Sequence, residues 1–179
     1  MVAAWFILSA IGRDRPGLVA DLAQLIYDCD ANLEDSRMTI LGTEFAVILL
    51  CSSTSPGAAD RLVAGAKRLE REQGLTILMR EVSEGRRPAL PAPGTALHRL
   101  RVAGEDRAGI VASVCRALAE YGINIADLAT RSVPGPGGSP HYEMTISLEV
   151  PERADLAALR GSLESVADRL VIDVSLERI

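Results

Sequence analysis

The order of apolar and polar positions along the chain predicts six short elements, and then the same six again. A continuous apolar run at 5–11 is typical of a buried strand, and the alternation at 142–150 is typical of a strand with one face in the core. Apolar positions at i, i+1, i+4 and i+8 from Leu18, and again from Ile110, predict amphipathic helices. The first half is predicted to contain strand 5–11, helix 16–30, strands 32–40 and 44–51, helix 58–73 and strand 75–82. The second half is predicted to contain strand 97–103, helix 108–121, strands 124–133 and 141–150, helix 154–168 and strand 171–176.

The two halves form an internal repeat with an offset of 92 residues. Without a gap, the segment Ile-Gly-Arg-Asp-Arg-Pro-Gly-Leu-Val-Ala at 11–20 corresponds to Ala-Gly-Glu-Asp-Arg-Ala-Gly-Ile-Val-Ala at 103–112. Between the copies, the segment 83–95 is rich in proline and glycine, which favours an extended connection. The sequence therefore predicts one domain at 1–82, a linker at 83–95 and a second domain at 96–179.

The element order predicts an α+β fold made of two similar units. Strand, helix, two strands, helix and strand is the order of the ferredoxin-like (βαββαβ) unit, in which two helices cover one face of an antiparallel sheet. A unit of about 80 residues leaves its other sheet face and its edge strands uncovered. We therefore expect pairing of units, either within one chain or between two chains as a homodimer.

Candidate chemistry lies in the turn between the first strand and the first helix of each half. Asp14 and Asp106 stand where a helix N-cap is expected, and Pro16 where the first helical turn is expected. One interpretation is capping alone, which contributes about 1 kcal/mol. The other is that free amides at the helix start bind an anion such as a carboxylate, while Gly17 and Gly109 allow its close approach.

Asn32 and Asn124 each follow the first helix and begin a strand. A side-chain amide both donates and accepts hydrogen bonds, as recognition of a zwitterionic amino acid requires. The alternative is a plain turn residue, because asparagine tolerates left-handed backbone after a helix.

Composition and charge exclude several classes of function. The chain has 19 Lys and Arg against 24 Asp and Glu, a net charge of -5 that both halves share, so direct binding to nucleic acid is disfavoured. No apolar run reaches the roughly 20 residues of a membrane span, and no secretory signal is apparent, so we expect a cytoplasmic protein without a membrane partner. Three cysteines without a CxxC pair favour reduced thiols over disulfides or zinc.

Few residues suggest an enzyme. His98 and His141 do not lie in a metal-ligand spacing, and no nucleophile and base are paired. Acylphosphatases use a ferredoxin-like fold with an arginine in the first strand-to-helix turn and an asparagine nearby, so Arg13, Arg15 and Asn32 make that comparison relevant. Their turn pattern is absent here. We therefore expect no catalysis, no cofactor and no metal, with an acylphosphatase-like hydrolase as the enzyme alternative.

Segments 14–19 with 31–33, and 106–111 with 122–125, resemble the signature of ACT domains, small regulatory modules that bind amino acids. Two ACT domains alone resemble the glycine cleavage system transcriptional repressor family. In ACT domains the ligand lies between paired modules, held by the strand-to-helix turn and the start of the second strand. The resemblance thereby implies ligand-binding roles for Asp14, Pro16, Gly17, Leu18, Asn32, Asp106, Ala108, Gly109, Ile110 and Asn124.

The same resemblance implies a non-catalytic regulator of transcription that binds an amino acid, with glycine and serine as candidates, and acts through a partner protein. Ala108 stands where the first unit has Pro16, and the second unit has a long loop at 134–140, so the two sites are expected to differ. The alternative without a ligand is a protein-interaction adaptor built from two ACT domains.

Overall fold

A computed structural model describes residues 2–83, 91–134 and 140–179. The chain divides into two compact units, Met1–Arg87 and Pro88–Ile179. Most of the predicted linker, residues 84–90, lies outside the described residues, as do residues 135–139 of the second hairpin. The strand that opens the second unit begins at Thr95, the last residue of the predicted linker.

Each unit has the predicted element order and an antiparallel four-stranded sheet. The first comprises β1 (Ala4–Arg13), α1 (Leu18–Asp28), β2 (Asn32–Leu41), β3 (Glu44–Ser53), α2 (Ala58–Gln73) and β4 (Thr76–Val82), with sheet order β2-β3-β1-β4. The second comprises β5 (Thr95–Glu105), α3 (Ile110–Glu120), β6 (Asn124–Pro134), β7 (Pro140–Pro151), α4 (Leu156–Leu170) and β8 (Ile172–Arg178), with order β6-β7-β5-β8. The α+β, ferredoxin-like prediction is confirmed.

Each unit has its own apolar core between its sheet and its two helices. In the first, alternate β3 residues Phe45, Val47 and Leu49 point toward the helices and meet the stripe of α1 that contains Leu22 and Ile26. The second core is built in the same way and includes Leu100, Met144, Ile146, Leu118 and Leu163. Full burial of such a side chain contributes about 1.5–3 kcal/mol, so these stripes determine which sheet face the helices cover.

The prediction that Asp14 and Asp106 cap the first helix of each unit is wrong. The N-caps are Gly17 and Gly109, both with φ of 96°, and neither provides a side-chain hydrogen bond. The Asp14 amide instead donates to the Thr43 carbonyl at 2.9 Å, which ties the turn to the β2–β3 hairpin. The helices therefore begin two residues later than predicted.

Pro16 correspondingly lies in the turn before α1, not in its first helical turn, and Ala108 occupies the same place before α3. Left-handed backbone at the cap turns the chain into the helix, and glycine adopts it without steric cost. The cap carbonyls then accept the first helical hydrogen bonds, from Asp21 N to Gly17 O and from Ser113 N to Gly109 O, both at 2.9 Å.

The ends of α1 and α3 position the two asparagines. Asp30 and its counterpart Gly122 have φ of 54° and 66°, and the chain reverses there. The following amides, of Ala31 and Ile123, donate back into the last helical turn at 3.1 Å. Asn32 and Asn124 therefore begin β2 and β6 directly beside the C-terminal ends of α1 and α3.

Candidate functional site

The first glycine of each strand-to-helix turn is required by packing within the unit. A Cβ atom on Gly12 would lie 2.7 Å from Cδ2 of Leu75, and one on Gly104 would lie 2.8 Å from Cγ2 of Ile172 and 3.1 Å from the Val171 carbonyl oxygen. Such distances leave no room for a side chain. Close packing against the start of the last strand of each unit thus accounts for glycine at positions 12 and 104, and no ligand is needed to explain it.

The second glycine of each turn leaves the helix start uncapped. In an α-helix the first amides have no acceptor inside the helix, and the described residues supply no side-chain cap at Gly17 or Gly109. By contrast, Asp155 caps α4 and accepts from the amides of Ala157 and Ala158 at 3.0 and 2.9 Å. The starts of α1 and α3 therefore present amides that suit a carboxylate or another anion.

Leu18 and Ile110 belong to these turns through their backbone. Both side chains are buried in the core of their unit. Their amides can contact a ligand at the helix start, whereas their side chains anchor the helix to the sheet.

The two turns differ in the charge beside them. Arg15 lies across the first turn: its guanidinium donates to the Pro16 carbonyl at 3.0 Å, to Asp21 at 2.9 Å and to the Gln73 side chain. Its counterpart Arg107 instead bonds Glu105 at 2.6 Å, and a Cβ on Gly109 would meet nothing within 4 Å. The first turn has a cation next to the helix start, and the second turn is open.

A carboxylate lies beside the asparagine in both units. Asn32 Nδ2 donates to Glu34 Oε1 at 3.1 Å, and Ser52 Oγ donates to the same oxygen at 2.6 Å. Asn124 Nδ2 donates to Glu149 Oε2 in the second unit. Each asparagine amide is therefore held by a glutamate, and its own oxygen remains a potential acceptor.

The two glutamates come from different strands. Glu34 belongs to β2, and the residue at its repeat position is Ala126. Glu149 belongs to β7 and pairs across the sheet with Asn124. In the first unit, the residue that pairs with Asn32 is Ser52. Sequence reasoning missed both glutamates. The residue opposite Asn124 is known only once the strands are in register, and Glu34 has no glutamate at its repeat position to draw attention to it.

An open pocket of about 610 Å³ adjoins Asn32 between the end of α1 and the end of β3. Its wall is polar. Ser53 Oγ donates to the Asp30 carbonyl at 2.6 Å, and Arg61 bonds both the Asp30 carboxylate at 3.0 Å and the Cys29 carbonyl at 3.1 Å. The pocket is large enough for a free amino acid.

The structure does not bring the turn and the asparagine of one unit together. Through Ser52, Asn32 is in register with Trp5, whereas the turn follows Arg13 at the other end of β1. Eight residues at about 3.3 Å each separate the two places by roughly 26 Å along the strand. In the second unit, Glu149 pairs with Leu97 at one end of β5, and the turn follows Glu105 at the other. One free amino acid cannot contact both places in a single unit.

Other chemistry is sparse in the described part of the chain. It contains no group of three or more His, Cys, Asp or Glu side chains that could hold a metal ion. Burial raises the pKa of the thiols of Cys29 and Cys115, and raises that of Cys51 to about 11. These thiols are therefore poor nucleophiles at neutral pH.

No helix among the described residues has both the length and the apolar composition needed to cross a membrane.

Comparison with known proteins finds ACT domain models matching residues 5–80 and 98–168. The glycine cleavage system transcriptional repressor of Escherichia coli K12 is 27% identical over 168 residues, which cover 93% of this chain and 85% of that protein. A UPF0237 protein of Methanopyrus kandleri is 28% identical over 74 residues, or 41% of this chain and 82% of that protein. The crystal structure of an unknown protein from Galdieria sulphuraria superimposes with a TM-score of 0.80 at 29% identity and covers 99% of both chains.

Proposed function

Because the chain belongs to the ACT-domain family and carries two ACT domains in tandem, we propose that it binds a free amino acid and uses it to control a partner protein. The chain is a regulatory ACT-domain protein similar to the glycine cleavage system transcriptional repressor of Escherichia coli. The observation that carries the proposal is the uncapped glycine turn, which recurs with the same φ of 96° before α1 and α3.

The carboxylate and the ammonium group of the amino acid bind at two different places, which we call half-sites. One is the strand-to-helix turn, and the other is the asparagine with its neighbouring glutamate. The amides after Gly17 or Gly109 bind the ligand carboxylate, because they are free donors at the positive end of a helix. The ammonium binds the asparagine oxygen together with Glu34 or Glu149. A carboxylate has about four acceptor positions, so either glutamate can hold its asparagine and the ligand together.

Two ACT units contribute to one site. The half-sites of one unit lie roughly 26 Å apart along its strands, so the turn of one unit works with the asparagine and glutamate of another. Glycine and serine are the first candidate ligands, because the similar Escherichia coli protein is a repressor of the glycine cleavage system. Asp14, Pro16, Asp106 and Ala108 shape the turns and do not cap the helices.

Ligand binding acts as a switch on the partner. The chain is in equilibrium between a state that binds the partner and a state that does not. An amino acid shifts this equilibrium only by the difference between its affinities for the two states. The partner is a protein that acts in transcription, because the similar Escherichia coli protein is a transcriptional repressor. The overall charge of -5 disfavours direct contact of this chain with DNA.

Thermal unfolding of the full chain against the twenty amino acids at millimolar concentration tests this proposal. At a hundredfold excess over Kd the ligand stabilises by about 2.7 kcal/mol, which shifts the Tm of a unit of this size by roughly 10–20 °C. We expect Asn32→Ala or Glu34→Gln to reduce the shift, and Glu81→Gln, an exposed β4 residue, to leave it unchanged. No shift with any amino acid would contradict ligand binding and favour the adaptor alternative.

A further inference from the structure

The sheet face of the first unit that points away from its helices is apolar, and we call it the outer face of unit 1. In β1, β3 and β4 it carries Ile7, Ile11, Ile48, Leu50 and Leu78, which are in register across the sheet. Ile11, Ile48 and Leu78 are 51%, 55% and 70% exposed. Leu50 and Ile7 lie side by side in one row, and Ser9 lies between Ile48 and Leu78 in the next, so the aliphatic side chains surround one small polar residue.

The same face of the second unit is polar at the corresponding positions. Arg99 stands where the first unit has Ile7, Thr145 where it has Ile48, and Ser175 where it has Leu78. Two ion pairs also lie on this face, from Arg101 to Glu177 at 2.5 Å and from Arg131 to Glu143 at 2.6 Å. The fold therefore does not require an apolar outer face, and unit 1 has one for another reason.

Charges at the two edges of this apolar face indicate what covers it. Asp35 on β2 pairs with Leu50, Leu50 with Ile7, and Ile7 with Arg80 on β4, so Asp35 and Arg80 end the same row of the sheet. Three strand spacings, or about 14 Å, separate their backbones. Among the residues the structure describes, Arg80 takes part in no ion pair.

This arrangement of charges is self-complementary. If two such faces are related by a two-fold axis parallel to the strands, β2 of one copy lies over β4 of the other. Asp35 then faces Arg80 of the second copy, and the contact occurs twice, as an interface between identical patches requires. Arg37, one row further along β2, lies over Leu78, against which its aliphatic stem can pack.

We propose that the outer face of unit 1 is a dimer interface at which two copies of this chain pack sheet to sheet about that axis. The apolar rows supply the buried centre, and the two pairs of Asp35 and Arg80 fix the orientation. The glycine turns lie outside this interface. Asn32 pairs with Ser52, one row beyond Asp35 on the same face, so it borders the interface at the edge of β2.

Sedimentation equilibrium of the full chain tests the proposal. We expect a dimer, and Ile48→Asp should raise its dissociation constant at least tenfold, because a carboxylate would replace an aliphatic side chain at the centre of the interface and lose its water on association. Thr145→Asp is the matched control on the polar face of the second unit and should leave the dissociation constant unchanged. A wild-type chain that is monomeric at 100 µM, or a dimer insensitive to Ile48→Asp, would overturn the proposal.

A charge exchange tests the orientation with variants that leave the apolar centre intact. Asp35→Arg and Arg80→Glu should each weaken the dimer, because each creates two like-charge contacts. The double variant, which restores opposite charges at both contacts, should recover most of the wild-type affinity. If the double variant is as weak as the single ones, the two-fold axis parallel to the strands is wrong.

Discussion

At the scale of single residues, Cys51 carries a pH dependence that can be worked out from its surroundings. The thiol is fully buried on β3 and donates to the Phe6 carbonyl at 3.7 Å. Burial raises its pKa from 9.0 to about 11, with smaller contributions from Cys29 and Glu34. Between these values the unfolded chain releases a proton that the folded chain retains, so stability is lost as the pH rises through this window.

We predict that the free energy of unfolding falls more steeply between pH 9 and 11 in the wild type than in Cys51→Ala. The difference is on the order of 2 kcal/mol, because a shift of two pKa units corresponds to about 2.7 kcal/mol and most of it develops between pH 9 and 11. Urea denaturation at pH 8.5, 9.5 and 10.5 measures it. Cys115→Ala, which removes a less buried thiol of the second unit, should keep most of the wild-type slope. Equal slopes for the wild type and Cys51→Ala would contradict the prediction.

Other single residues show where sequence reasoning was limited. The turn residues Gly17 and Gly109 could be named from the repeat, but their role as left-handed caps depends on backbone angles. Glu34 and Glu149 could not be paired with the asparagines, because one follows its asparagine along a strand and the other lies opposite it. The offset of the repeat does not align these two glutamates.

At the scale of elements, two aspartates that each precede a helix in the sequence differ in whether they cap it. Asp155 accepts from two amides of α4, whereas Asp106 precedes α3 by several residues and a glycine is the cap. We predict that Asp155→Ala lowers the free energy of unfolding by about 1 kcal/mol and that Asp106→Ala changes it by less than about 0.5 kcal/mol. Urea midpoints of the two variants measure the contrast. Equal losses would mean that Asp106 also supports its helix.

The order and type of the elements could be predicted, because periodicity reports which face is buried. Helix α2 has the predicted bounds, Ala58–Gln73, since its apolar stripe ends at a left-handed Gly74. The starts of α1 and α3 were placed two residues too early. An aspartate before a helix suits a cap wherever its side chain can reach the first amides, and only the backbone path decides whether it does.

At the scale of the whole molecule, the repeat made the fold predictable and left the assembly of the site open. Two copies of one pattern implied two copies of one unit, each with its own core. The sequence also predicted the turn and the asparagine as parts of each candidate site. It could not reveal that the length of β1 and of β5 separates them, because that distance follows from strand register.

The charge of the whole chain leads to a prediction about direct contact with DNA. Binding to duplex DNA depends on Lys and Arg that neutralise phosphates, but this chain has 19 such residues against 24 Asp and Glu. Several arginines are also paired with carboxylates, among them Arg15, Arg61 and Arg131. Each such pair reduces the cationic surface available to a phosphate backbone.

We therefore predict that 10 µM of the full chain produces no change in the fluorescence anisotropy of a labelled DNA duplex at 150 mM salt, with or without glycine. Non-specific DNA-binding proteins have Kd values of roughly 1–100 µM under such conditions, so the measurement would detect all but the weakest of them. Lowering the salt to 50 mM serves as the control, because a true phosphate-binding surface would gain affinity steeply. Saturable, salt-dependent binding would contradict the proposed action through a partner protein, whereas no change in anisotropy is the result that the proposal requires.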